Sequence, residues 1–158
     1  MNACKTTSRR QLRFNCLEDI RADVENLAKS REIQALGEWS PGQVLKHLAL
    51  AMDMSIDGMP PTYPAFVRSL LRLLLKRRLL TKPMTPGFRL PQRASSLIPG
   101  PVSLEEGLTS FRTAFERLGR ESKRSGHLAI GELTREEWDQ LHCRHSELHL
   151  SFLVPNDV

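Results

Sequence analysis

An all-α fold is the expectation for this chain, and three observations carry it. Alternating runs of Val, Ile and Thr, the mark of half-buried strands, are nearly absent. Apolar residues instead recur at helical spacing through most of the chain. Three segments open with Ser or Thr followed three residues later by Gln or Glu: Ser40 with Gln43, Ser103 with Glu106, and Thr134 with Glu137. Each pair can form a capping box, in which the two residues satisfy the free N–H groups of a helix start.

The first helix is expected from just after Asn15 to about Ala35, with Leu17, Ile20, Val24 and Leu27 on one face and Gly37 beyond its end. The second has the clearest start. Ser40 caps, Pro41 suits the first helical position, and the run continues to about Asp57 before Gly58 stops it. Lys46, Asp53 and Asp57 form its polar stripe, and His47 lies between that stripe and the apolar remainder. Residues 58–103 make a long excursion that holds 8 of the 10 prolines. Within it, Ala65 to about Leu80 has the pattern of a basic amphipathic helix, with Arg68, Arg72 and Lys76 set against Phe66, Leu70, Leu71, Leu74 and Leu75. Pro83 to Pro101 should be irregular. The third principal helix starts at Ser103, carries Leu104, Leu108, Phe111, Phe115 and Leu118 inward, and ends near Lys123–Gly126. Residues 126–133 are expected as a loop. The last helix starts at Thr134 and is ended by Pro155. Four principal helices with one long crossover suit a four-helix bundle, with the basic helix as an extra element in the crossover. A chain of 158 residues is read as one domain, 1–158.

The net charge of +5 hides an asymmetry. Residues 58–104 hold eight cations (Arg68, Arg72, Lys76, Arg77, Arg78, Lys82, Arg89 and Arg93) and no Asp or Glu. The remainder has 15 basic against 18 acidic residues, so the basicity belongs to one insert. Cys4, Cys16 and Cys143 form no even framework, which points to a reducing compartment, and the first residues lack the apolar core of a secretory signal. A cytoplasmic location is expected. No apolar run is long enough to span a bilayer.

Three histidines crowd the last helix: His142, His145 and His149. His145 and His149 lie one turn apart, about 6 Å along the axis and ~40° around it. They share a face with Trp138, Leu141, Leu148 and Phe152. Burying imidazoles among apolar side chains is costly unless their nitrogens are bound, and a transition metal is the natural partner. His142 and His149, roughly 10 Å apart along the axis, are too far apart to share one ion. His145 and His149 have the spacing of a HExxH metalloprotease, but Ser146 stands where the Glu is required, so that reading fails. His47 is the inward-leaning histidine from another helix. His127, in a loop, is expected in solvent; His142 either supports the ligands from behind or, as the favoured reading, lies at the edge of the surface. Cys143 points about 160° away from His145 and is a poor ligand.

The segments Trp39-Ser-Pro-Gly-Gln-Val-Leu-Lys-His47, Gly131-Glu-Leu-Thr-Arg-Glu-Glu-Trp138 and His145-x-x-x-His149 resemble the DinB/YfiT-like superfamily. They are similar, more closely, to a bacterial branch catalogued as a domain of unknown function. The resemblance covers nearly the whole chain, including the opening Arg9-Arg10-x-Leu-Arg-Phe14. It implies a four-helix bundle with a metal held by His47, His145 and His149. Members of the branch often carry another His beside the second ligand of the last helix, where this chain has Leu148 and Leu150.

Three neutral imidazoles suit Zn, Ni, Fe or Cu and leave a coordination position open, as in catalytic sites. Such a metal activates a bound water or thiolate. The resemblance implies thiol transfer, with a low-molecular-weight thiol such as mycothiol, bacillithiol or glutathione as co-substrate; metal-assisted hydrolysis is the other enzymatic reading. The acid-free segment could meet the anionic groups of such a co-substrate through Arg68, Arg72, Arg89 and Arg93. Asp53, Asp57 and Glu147 face away from the ligands by helical phase, so no general base is evident. The competing class is a non-catalytic bundle that uses its basic helix. Packing of that helix on the bundle or in a homodimer ranks first, docking on a partner second, and an anionic membrane third. Nucleic acid is not expected as a partner, because the basic stretch has few aromatics and no docking module.

Overall fold

The structure, a computed structural model, describes residues 8–87 and 92–156, with the backbone alone at Arg93. Among these residues the chain is mostly helical: α1 (Leu17–Lys29), α2 (Pro41–Asp57), α3 (Ala65–Thr81), α4 (Leu104–Arg120) and α5 (Arg135–Leu150). Two short strands accompany them, β1 (Glu32–Ala35) and β2 (Leu153–Asn156), and a 3-10 segment covers Gln92–Leu97.

The strands correct the all-α expectation. The first helix stops at Lys29, not Ala35, because residues 32–35 pair antiparallel with 153–156, Ile33 opposite Pro155 and Ala35 opposite Leu153. The last helix likewise stops at Leu150, before Pro155. Pro155 sits inside β2, and a two-stranded sheet has only edge strands, so its missing N–H can face away from the partner. Four residues of strand are too short a run for alternation to stand out in sequence.

All three residues cap their helices, but the reciprocal box forms only at Ser40 with Gln43 and at Thr134 with Glu137; at Ser103 the hydroxyl bond alone is made. Ser40 Oγ accepts from Gln43 N at 3.2 Å and Gln43 Oε1 accepts from Ser40 N at 3.0 Å. Ser103 accepts from Glu106 N at 3.1 Å, and Thr134 from Glu137 N at 3.2 Å. Each bond satisfies a donor that the helix start would otherwise leave free.

Ile20, Val24 and Leu27 of α1, Val44, Leu45, Leu48 and Met52 of α2, and Phe111, Ala114 and Leu118 of α4 form the main core with Leu150 and Leu153. The starts of α2 and α4 come very close at Gly42 and Gly107. A Cβ on Gly107 would lie 2.5 Å from Gly42 O, so the crossing requires a residue with no side chain. A second cluster joins Leu80 of α3 to Ile130, Leu133, Trp138 and Leu141.

An N-terminal strap fastens α5 to α1. Arg10 N donates to Ser151 O at 2.9 Å. The Arg10 guanidinium bonds Asp23 at 2.7 and 2.8 Å and Leu150 O at 3.0 Å. Phe14 N donates to Glu147 Oε1 at 2.5 Å, while Arg144 donates to Phe14 O and pairs with Glu147 at 2.8 Å. Arg144 and Glu147 are both buried, and so α5 is enclosed on nearly every side.

Candidate metal centre

The capped start of α2 at Ser40 fixes the frame that carries His47. This side chain is 2% exposed, and its Nδ1–H donates to Leu97 O at 2.6 Å. A carbonyl can only accept, so the proton sits on Nδ1 and Nε2 keeps its lone pair. That Nε2 faces His145 Nε2 at 3.1 Å. With His47 accepting, His145 is the donor of this bond.

The rings of His145 and His149 lie 4.6 Å apart, and both approach His47, at 5.0 and 4.5 Å between centroids. One ring nitrogen from each of the three falls within 4.8 Å of the others. Residues 47, 145 and 149 therefore come together, as helical spacing implies for His145 and His149 and as the resemblance implies for His47. Burial is the main reason that all three stay neutral. It holds the His47 imidazole below its usual value, against the bond to Leu97 O, which raises it. It pushes His149 down to about 3, with His47 adding to the effect. His145 lies well below the ordinary histidine value through burial and then through its histidine neighbours. Neutral imidazole is the form that binds a cation.

Trp39 completes one wall. Its ring stacks on His149 at 5.7 Å and 11° and tilts over His47 at 4.8 Å. Neither Trp39 nor the carbonyl of Leu97 is legible in sequence as part of the site. Trp39 precedes the cap of α2, the place from which an apolar residue folds back on the first turns, and that was the available signal. No comparable signal marks Leu97, whose segment reads as irregular.

Several expectations need correction. His142 is not at the surface edge: it is 3% exposed, its Nε2–H donates to Ser55 Oγ at 3.1 Å, and burial pushes it down to about 3. Ser55 can accept because its own proton goes to Met52 O at 2.6 Å. His127 is half-buried rather than in solvent. Its Nδ1 accepts from Ala129 N and Ile130 N at 3.1 and 3.3 Å, and its ring lies 5.6 Å from Trp138. The apolar face drawn through His145 and His149 also splits. Trp138 and Leu141 belong to the α3 cluster, and Phe152 lies beyond the helix with the Arg9 guanidinium 4.1 Å above its ring. An enclosed helix has no single inward face, which is why helical phase alone misplaced these residues.

Cys143 is buried and its thiol is pushed up to about 12, chiefly by burial. Asp53 and Asp57 are held by Arg117 at 2.9 and 2.6 Å, and Glu147 by Phe14 N, so these three carboxylates are engaged elsewhere. Arg68 lines a surface cleft of about 530 Å³ with Gly58, Ser125 and His127. Arg72 lines a groove on α3 with Ser69 and Leu73. Neither lining includes a member of the triad. Arg89 and the Arg93 side chain lie outside the described residues.

A mostly helical protein with three converging histidines is the class that fold and site define. The chain belongs to the family described as Protein of unknown function (DUF1569), which matches residues 6–156. No curated protein matches the chain, and no solved structure does.

Proposed function

We propose that this protein is a metal-dependent enzyme whose cation is held by His47, His145 and His149. One observation carries the reading: three neutral ring nitrogens within 4.8 Å of one another. Nitrogen ligands at about 2.0–2.1 Å from a tetrahedral zinc stand about 3.3–3.4 Å apart. The 3.1 Å between His47 and His145 is already close to that, and the widest spacing needs to contract by only about 1.5 Å. His47 presents an unprotonated Nε2 with its other nitrogen anchored, the arrangement typical of metal-bound histidine. Zn, Ni and Fe all suit such a ligand set.

Three protein ligands leave a coordination position for a water or a thiolate, which supports catalysis over a purely structural role. In this reading the fold is a four-helix bundle of the DinB/YfiT-like kind, built from α1, α2, α4 and α5, with α3 added in the crossover. The reaction is transfer of a low-molecular-weight thiol to an electrophilic small molecule, or hydrolysis by metal-bound water. The acid-free segment supplies counter-charges for an anionic co-substrate, through Arg68, Arg72, Arg89 and Arg93.

The test uses untagged protein exposed to Zn, Ni and Fe separately, with bound metal measured by elemental analysis. One equivalent is expected in the wild type. Removing a group that only orients a ligand weakens affinity about 10–100-fold, so His47→Ala and His145→Ala should lose more than that. Wild type that holds none of the three metals overturns the reading. Thiol consumption against a panel of electrophiles then separates transfer from hydrolysis.

A further inference from the structure

Of the two first-ranked expectations for the apolar side of α3, packing on the bundle or in a homodimer, the fold rules out the first for most of that face: Phe66 is 77% exposed and Leu73 82%, with Leu70 and Leu74 also exposed. These four residues occupy an arc of about 100° along a helix about 25 Å long. The opposite side holds α3 in place. Leu71, Leu79 and Leu80 join the cluster around Trp138, Lys76 pairs with Glu137, and Arg13 donates to Thr81 O at 3.2 Å. The exposed leucines are thus held outward by three independent contacts.

Apolar patches of this kind on a folded surface mark an interaction site. The charge around this one identifies its occupant. Arg77 lies within the apolar arc, Arg78 borders it, and both are exposed. No Asp or Glu occurs anywhere in residues 58–104. A second copy of the chain, docked through the same face, would set these arginines against their counterparts with no carboxylate from the helix between them. An anionic bilayer surface complements both features. Leucine and phenylalanine enter the boundary between headgroups and acyl chains, and arginine stems extend so that the guanidinium groups reach lipid phosphates.

We infer that α3 is a membrane-surface helix, which docks the protein on anionic phospholipid through Phe66, Leu70, Leu73, Leu74, Arg77 and Arg78. The helix lies in the plane of the surface and does not cross it. No helix among the described residues is long and apolar enough to cross a membrane. The inference is independent of the metal centre, since the groove that Leu73 and Arg77 line includes no histidine of the triad.

Co-sedimentation of the full chain with vesicles is the test. One vesicle is phosphatidylcholine alone, and the other an equimolar mixture with phosphatidylglycerol. Binding is expected to the mixed vesicle only, and it should fall as salt is raised. Arg77→Gln with Arg78→Gln should weaken it by roughly tenfold or more. Phe66→Ser with Leu73→Ser should abolish it while leaving the thermal midpoint unchanged, because both side chains are already in solvent. No binding to the mixed vesicle overturns the inference. So does a wild-type dimer that the Phe66 and Leu73 substitutions convert to monomer without any vesicle binding, which would make the face a contact between copies.

Discussion

His47 shows how a single side chain can be prepared for a ligand before the ligand arrives. Its Nδ1–H is committed to Leu97 O, so the lone pair on Nε2 has one direction to point, toward His145. His145 in turn donates a proton across that 3.1 Å gap, and a cation entering between the rings displaces it. His145 is a neutral imidazole, so that proton moves to its Nδ1 by tautomerisation, and loading near pH 7 should release no net proton from the triad, as a pH-stat titration with metal would show. Trp39 offers an optical readout of the same event. Its ring lies against His149 and His47, whereas Trp138 stacks on His142 in the other cluster. Addition of Ni is expected to quench part of the tryptophan fluorescence, and Trp39→Phe should remove that response while one equivalent of metal still binds. A response that survives in Trp39→Phe would place the cation elsewhere. At this scale the pairing of His145 and His149 was legible, because an i, i+4 pair of histidines on a helix is a local pattern, while His47 was reached through its inward lean and the family resemblance. Trp39 and Leu97 were not legible, because they reach the site from outside the helices that hold it.

The elements are positioned by close approach as much as by apolar burial. The starts of α2 and α4 cross at Gly42 and Gly107, where a Cβ would meet backbone. Backbone cannot swing aside as a flexible side chain can, so the helices must separate if either residue gains a methyl group. Gly107→Ala is expected to destabilise the protein by about 1–3 kcal/mol, read from urea unfolding. Moving α2 also moves His47, so metal affinity should fall with stability. A neutral effect on both would show that the crossing has slack. The capping residues made the starts of α2, α4 and α5 legible to the residue. The ends were harder to read: α1 and α5 both stop early, where a strand begins that exists only by virtue of its partner.

The whole molecule carries an acid liability in its buried histidines. His142 is held down to about 3 by burial, far below the ordinary 6.5. As pH falls below about 6.5, the unfolded chain takes up a proton at this position while the native state does not. The unfolded state then binds more protons, so stability falls with pH across the window from about 6.5 to about 3 and is insensitive to this group below it. His149, also down to about 3, acts in the same direction. Each such group contributes up to about 1.4 kcal/mol per pH unit. Metal-free protein should unfold at lower urea at pH 5 than at pH 7.5. His142→Leu, which removes one of these protons, should reduce the slope of stability against pH. An unchanged slope in that variant would mean that His142 titrates normally in the folded protein.

What the sequence alone determined is local: the helix starts, the convergence of His145 and His149 on one turn, and the concentration of cations in residues 58–104. Capping and helical phase act over three or four residues, so they survive without knowledge of the rest of the fold. The tertiary structure decided everything that depends on distant partners. The bond from His47 to Leu97 spans 50 residues, the strands pair across more than a hundred, and α3 turns its leucines outward because other residues hold its far side. A sequence pattern shows that a helix has an apolar face, but only the neighbours that surround it determine whether that face is covered.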